Sequence, residues 1–132
     1  MKLDIGLVRL AGALASHASL RQSLIAENVA NADTPGYRAR DVRPFDEIFG
    51  QGAFDATQMR ATRDGHIGHG SSQTPYAPEE LSKLGAAAPN GNTVSLEDQL
   101  VRSAEVQHSH DMALGIYKTS IDILRTSLGR GA

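Results

Sequence analysis

Large apolar residues are concentrated at the two ends of this 132-residue chain, and this distribution limits the folds it can adopt. Residues 1–32 hold 11 Val, Ile, Leu, Met, Phe or Tyr and residues 94–129 hold 13, whereas residues 50–93 hold only six. The middle stretch also carries seven Gly and three Pro. So few large apolar groups cannot offset the conformational entropy lost on ordering. We therefore predict an irregular insertion over residues 50–93 between two structured ends.

The N-terminal stretch has the periodicity of a long helix. Large apolar residues recur in alternating steps of four and three at Leu3, Leu7, Leu10 and Leu14. A second line runs beside it through Val8, Ala11, Ala15, Ala18, Ile25 and Val29. No proline interrupts the pattern before Thr34-Pro35-Gly36, which is a strong stop signal. We predict a helix over residues 1–34, followed by a turn and an extended segment over residues 35–49.

The C-terminal stretch begins with a helix start signal and ends in a heptad line. Ser95 and Asp98 have the spacing of a capping box, in which a hydroxyl and a carboxylate satisfy free amides at a helix start. Apolar side chains then step by three and four residues at Leu114, Tyr117, Ile121, Leu124 and Leu128. We predict a helix over residues 94–132 that packs through this line and through the leucines of the first helix.

The two predicted helices match best when they are antiparallel. Each line is apolar near its chain end and polar toward the middle of the sequence, through His17 and Arg21 in the first and Gln107 and His110 in the second. An antiparallel arrangement sets leucines against leucines and polar side chains against polar ones, which fixes the register. The predicted fold class is mainly α, with the long terminal helices paired antiparallel as a coiled-coil-like core around an irregular middle insertion. Alternatively, the polar patch faces a neighbouring subunit.

Composition excludes several classes of function. The net charge of −2, from 13 Lys and Arg against 15 Asp and Glu, gives no strong field for nucleic acid. The chain has no cysteine, which removes disulfides, Cys-based zinc sites and thiol catalysis. The first residues lack the pattern of a secretory signal. We expect no cofactor, no metal, no small-molecule substrate and no catalysis. A small enzyme that uses His66 and His69 is kept as a rival interpretation.

The densest local pattern runs from Asn28 to Tyr37. Pro35 ends the helix, and Gly36 after it fits a type II turn, which requires positive φ at that position. Asn28 and Asn31 lie in the last helical turns, where side-chain amides can bond free carbonyls or a neighbour's backbone. Tyr37 supplies an aromatic anchor with a polar tip. Spacing alone leaves open whether this stretch is only a helix cap followed by a loop.

This stretch resembles the N-terminal signature of the flagellar axial proteins, the rod and hook family. The family pattern Asn-x-Ala-Asn-x-x-Thr-Pro-Gly-Tyr stands here as Asn28, Ala30, Asn31, Thr34, Pro35, Gly36 and Tyr37. The run Ala39-Arg40-Asp41 with Phe45, and the opening from Asn92 to Glu97, resemble a proximal-rod member of that family. The short chain agrees with such a member, and the resemblance leaves residues 50–93 uncovered.

The resemblance implies a structural subunit of the proximal rod of the flagellar basal body. Such subunits are exported without a cleaved signal peptide and polymerise through their terminal helices into the torque-transmitting shaft in the periplasm. The implied partners are copies of the chain itself, other rod proteins, the adaptor joining the rod to the membrane ring, and the flagellar type III export apparatus. Two alternatives stay open, namely another proximal-rod subunit of the same family and a non-flagellar coiled-coil adaptor.

Overall fold

The computed structural model describes residues 2–50, 78–80 and 87–129, except for the side chains of residues 2–5 and 50. The elements are α1 (Lys2–Ala30), β1 (Arg40–Asp41), α2 (Phe45–Gly50), β2 (Glu79–Glu80) and α3 (Leu96–Gly129). No helix among them combines the length and apolar character needed to cross a membrane. Most of the predicted insertion, including His66 and His69, lies outside the described residues.

The two long helices pack against each other in antiparallel orientation. Asn28, near the end of α1, bonds Gln99, near the start of α3. Arg21, two turns earlier in α1, faces Glu105, which lies further along α3. Residues nearer the N-terminus of α1 therefore contact residues nearer the C-terminus of α3. The predicted mainly α fold, with long terminal helices paired antiparallel, is confirmed.

The predicted start of α3 is also observed. The helix begins at Leu96, and the Ser95 hydroxyl oxygen accepts the Asp98 backbone N–H at 3.4 Å. The Ser95 carbonyl accepts the Gln99 N–H at 3.0 Å, as the first intrahelical bond. Ser95 is thus the N-cap that its hydroxyl and position predict.

The contact line of α3 lies one residue away from the predicted one. The buried side chains of α3 are spaced seven residues apart, at Gln99, Val106, Ala113 and Ser120. On α1 the buried positions with the same spacing are Ala11, Ala18 and Ile25, which belong to the second predicted line. Small side chains occupy several of these positions, so the two helix axes can approach closely. We call this set of seven residues the inner line.

Four residues of the predicted packing line are exposed in the single chain. These are Leu7 at 40%, Leu114 at 51%, Tyr117 at 47% and Leu128 at 69%. The remaining described members of the predicted line are partly buried, at Leu10, Leu14, Ile121 and Leu124. The Leu3 side chain lies outside the described residues. Within the helix pair, the smaller side chains of the inner line fill the contact, and the four exposed residues face outward.

The segment after the turn is shorter than predicted, because its last part is helical. The extended segment expected through residue 49 gives way to α2 at Phe45, where Asp46 and Glu47 favour a helix start. His17 holds this junction, with Nε2 2.8 Å from the Arg43 carbonyl oxygen and its ring against that of Phe45. A six-residue helix is too short to show a periodic pattern in sequence.

Two further contacts fix this segment to the rest of the chain. Val42 and Ile48 are buried with Leu24, so α2 and the residue that follows β1 together cover one side of α1. Strand β1 pairs antiparallel with β2, with Arg40 opposite Glu80. The short strands therefore bring the end of the insertion back beside the turn.

Candidate assembly site

The Thr34-Pro35-Gly36-Tyr37 stretch forms the predicted turn. The Tyr37 N–H donates to the Thr34 carbonyl at 3.3 Å, and Gly36 has φ +73°. Positive φ at the third residue is the requirement of a type II turn, and glycine meets it without steric cost. Thr34, Pro35 and Gly36 are all exposed. The motif therefore presents a fixed corner at the end of α1.

Asn28 is the most enclosed residue of the motif and is 1% exposed. Its Nδ2 donates to the Arg40 carbonyl at 2.8 Å and to Gln99 Oε1 at 3.1 Å. Its Oδ1 accepts the Arg40 N–H at 2.9 Å and the Tyr37 hydroxyl at 3.2 Å. Burial, followed by the nearby Glu27 carboxylate, raises the pKa of Tyr37 above its ordinary value of 10.0, which keeps this hydroxyl a donor. Asn28 thus joins α1, β1 and α3 through one side chain.

Asn31 and Ala30, the other motif residues at the end of α1, differ from Asn28: the Asn31 side chain bonds locally, and Ala30 is exposed. The Asn31 Nδ2 donates to the Glu27 carbonyl at 2.9 Å, and its Oδ1 accepts the Thr34 hydroxyl at 3.2 Å. Ala30 is exposed at the last position of α1. The two asparagines of the motif therefore differ, since Asn28 crosses between elements whereas Asn31 bonds within its own helix end.

Residues far along the chain complete the turn. Asn92 is 3% exposed, and its Nδ2 lies 2.9 Å from the Asn31 carbonyl oxygen and 2.8 Å from those of Ala32 and Thr34. The resemblance pointed to Asn92 as part of the opening of the C-terminal half, but its capping contact had no signal in the sequence. A single amide thus binds the carbonyls that follow the last turn of α1.

Backbone bonds hold the same two segments together. The Gly36 N–H donates to the Asn90 carbonyl at 3.0 Å, and the Thr93 N–H donates to the Tyr37 carbonyl at 3.1 Å. The Thr93 hydroxyl oxygen accepts the Ala39 N–H at 2.9 Å. The turn therefore lies between the end of α1 and the segment that leads into α3.

A buried carboxylate lies beside this junction. Asp41 is 5% exposed and accepts from Arg21, with Nε 2.9 Å from Oδ1 and Nη2 3.0 Å from Oδ2. Arg102 also bonds Asp41 Oδ2, and its Nε lies 2.9 Å from Asp98 Oδ2. Burial alone lowers the pKa of Arg102, but the hydrogen bond that Arg102 donates to Asp98 and the charge of Asp41 outweigh it, so the pKa is raised.

This ion cluster ties three elements together at one point, because Arg21 belongs to α1, Asp41 to β1 and Arg102 to α3. Its members lie 20 and 61 residues apart in sequence, so no local pattern could have indicated it. Within residues 2–50, 78–80 and 87–129, no group of three His, Asp or Glu is placed to hold a metal ion.

Several apolar residues of α3 form a second heptad line beside the inner one, while Val101, Met112 and Ile123 are exposed elsewhere on the helix. Each residue of the second line lies one, four or eight residues after an inner-line position. We call the following set the outer line: Leu100, Leu114, Tyr117, Ile121 and Leu128. Four of them are at least 47% exposed, and Ile121 is partly buried. Apolar side chains aligned on an open helix face mark an interaction surface.

Comparison with known proteins agrees with this architecture. A family model described as flagella basal body rod protein matches residues 11–38, which include most of α1 and the whole motif. The flagellar basal body rod protein FlgB of Escherichia coli K12 is 30% identical over 116 residues, or 84% of each chain. The FlgB proteins of Agrobacterium fabrum C58 and Salmonella typhimurium LT2 are each 28% identical, over 87% and 73% of each chain. The chain therefore belongs to the FlgB family of flagellar basal body rod proteins.

Proposed function

We propose that this chain is a structural subunit of the proximal rod that polymerises through its terminal helices into the torque-transmitting drive shaft. The observation that carries the proposal is the outer line of α3, which is aligned, apolar and open in a chain whose inner line is already filled. All members of the outer line except Leu100 belong to the packing line predicted from sequence, and the proposal assigns them to contacts between subunits. The proposal includes no catalytic activity, cofactor or small-molecule substrate.

The two lines of α3 suit such a polymer. The inner line holds α1 and α3 as one unit, while the outer line, on an adjacent side of the same helix, remains for a neighbour. A surface that binds a different surface on the next copy does not close on itself, so it generates a helical filament. The ion cluster and Asn28 resist sliding of α1 against α3, which a shaft under torque requires.

The proposal also covers the setting of the chain. Its partners are further copies, other rod proteins, the adaptor that joins the rod to the membrane ring, and the type III export apparatus. Its place is the rod within the periplasm, reached without a cleaved signal peptide. Support for these points comes from the FlgB family and from the motif at residues 28–37.

Exchange of an outer-line residue tests the proposal. Leu114→Glu places a charge on the outer line at a position that is half exposed, so the free energy of unfolding of the free chain changes by about 0.5 kcal/mol or less. We expect cells carrying Leu114→Glu to lose swimming and to yield basal bodies without rods in electron micrographs. Thr119→Glu is the matched control, because Thr119 is exposed and lies about 140° around the helix at 3.6 residues per turn.

Deletion of the gene provides the broader test. Rings without a rod, together with loss of motility, are the expected result in electron micrographs of basal bodies. Intact rods and normal swimming in the deletion strain would contradict the proposed function. Normal rods in the Leu114→Glu strain alone would contradict only the assignment of the outer line.

A further inference from the structure

A side chain that is remote in sequence bonds the backbone that follows α1. Carbonyls at a helix C-terminus have no intrahelical partner and need another donor. Here the Asn92 Nδ2 lies within 2.9 Å of the carbonyl oxygens of Asn31, Ala32 and Thr34, which follow α1, from a position 58 to 61 residues later in the chain. The Asn31 and Thr34 carbonyls also accept backbone N–H groups of the turn. A capping side chain usually comes from the helix end itself, so this cap acts across the insertion.

The orientation of the Asn92 side chain is fixed by its own segment. Its Oδ1 accepts the Val94 N–H at 2.8 Å, and its backbone N–H donates to Asn90 Oδ1 at 3.1 Å. With the oxygen held in this way, the amide nitrogen faces the end of α1. The arrangement identifies which end of the amide is nitrogen, because only the nitrogen can donate to carbonyl oxygens.

The two segments also meet closely through glycines. Gly91 has φ +81°, and a Cβ added there would lie 3.5 Å from the Gly36 Cα. The segment containing Asn92 is therefore seated directly on the Thr34–Tyr37 turn, and the backbone bond from Gly36 to Asn90 joins the same two surfaces.

We infer that Asn92 is the positioning residue of the Thr34–Tyr37 turn, and that the turn takes its shape only after the chain from residue 90 onward has docked. Chains are synthesised from the N-terminus, so α1 and the motif are made before their cap. An incomplete chain then lacks a finished turn, and the exposed corner of the motif is formed only by complete chains. This inference goes beyond the proposed rod function and does not depend on it.

Amide hydrogen exchange of the full-length chain, followed by NMR, tests the inference. Asn92→Asp keeps the size of the side chain and the acceptor for the Val94 N–H, but sets an oxygen against three carbonyl oxygens. We expect the protection factors of the Gly36 and Tyr37 amides to fall about tenfold or more, while the Val106 amide in the helix pair changes less. Asn90→Asp is the matched control, because Asn90 acts through its side-chain oxygen, which the substitution retains.

A pH series separates donation from simple packing. Desolvation and the facing carbonyl oxygens raise the pKa of the introduced carboxyl, so lowering the pH toward about 5 protonates it and restores one O–H donor. Protection of the turn, corrected for intrinsic exchange rates, should then recover in part in Asn92→Asp but not in Asn92→Ala. If the protection of the turn does not recover at low pH, Asn92 acts only by packing and the inference is overturned.

Two further outcomes are decisive. Unchanged protection of Gly36 and Tyr37 in Asn92→Asp would overturn the inference directly. If that variant does not fold, exchange of the Asn92 side-chain amide in the unaltered protein decides the matter. Slow exchange supports the cap, and exchange at the rate of an exposed asparagine overturns it.

Discussion

Replacement of Asn28 by alanine tests the central contact of the helix pair. The Asn28 amide makes four hydrogen bonds to three residues, Tyr37, Arg40 and Gln99, and is 1% exposed. Without it, Gln99 Oε1 loses its donor in a side chain that is itself 2% exposed. The Arg40 N–H and carbonyl lose their partners as well.

The expected loss of stability follows from the buried groups left without partners. Each costs about 1–3 kcal/mol, so Gln99 Oε1 and one backbone group of Arg40 together cost about 2–6 kcal/mol. Globular domains have total stabilities of about 5–15 kcal/mol, so Asn28→Ala removes a large part of the free energy of unfolding. Asn31→Ala is the matched control, with an expected loss of about 0.5–1 kcal/mol because its bonds are local and exposed.

Urea unfolding of both variants, followed by far-UV circular dichroism, measures this difference. The free energy of unfolding comes from linear extrapolation at a common m value. A double-mutant cycle with Gln99→Ala should give a coupling of about 0.5–3 kcal/mol between the two amides. If Asn28→Ala and Asn31→Ala differ by less than about 1 kcal/mol, burial does not set the cost and the reasoning fails.

Three other expectations concern the same region. Asp41→Asn leaves Arg21 and Arg102 facing a neutral group and should lower the free energy of unfolding by about 3 kcal/mol. A loss below about 1 kcal/mol, measured by urea titration, would show that water screens the charges of the cluster. Gly36→Ala should lower Tm by about 4 °C, measured by calorimetry, because φ +73° costs about 1 kcal/mol for a residue with a Cβ. The Tyr37 phenol should titrate above 10.0 by phenolate absorbance, and stability should fall as pH rises from 10.0 through the folded-state pKa, since the unfolded chain then binds fewer protons.

The helices and the turn were predictable from sequence because their signals are local. Apolar periodicity predicts α1 and α3, Ser95 marks the start of α3, and Pro35-Gly36 specifies the turn and its positive φ. Each signal lies within a few residues of the structure it determines. Local rules of helix capping and turn geometry are therefore enough for these features.

The inner line was not predictable in the same way. Periodicity finds the line with the largest apolar residues, and on α3 that is the line of Leu114. The line that is buried contains Gln99 and Ser120, which are polar. Gln99 can be buried only because Asn28 satisfies it from another helix, and a partner 71 residues away leaves no trace in the local pattern. The Asp41 cluster escaped prediction for the same reason.

The paired strands and the Asn90–Gly36 bond have a practical consequence for labelling the protein. They fix the chain near Asp41, just before α2, and again near Glu79 and Asn90. The length of chain between these fixed points is therefore not set by the packing of α1 against α3. Doubling the length of a connection between two fixed points costs only about 0.6 kcal/mol of closure entropy. An epitope tag or a fluorophore-bearing peptide inserted between residues 51 and 77 should leave the helix pair intact, which makes that stretch the place to attach a reporter.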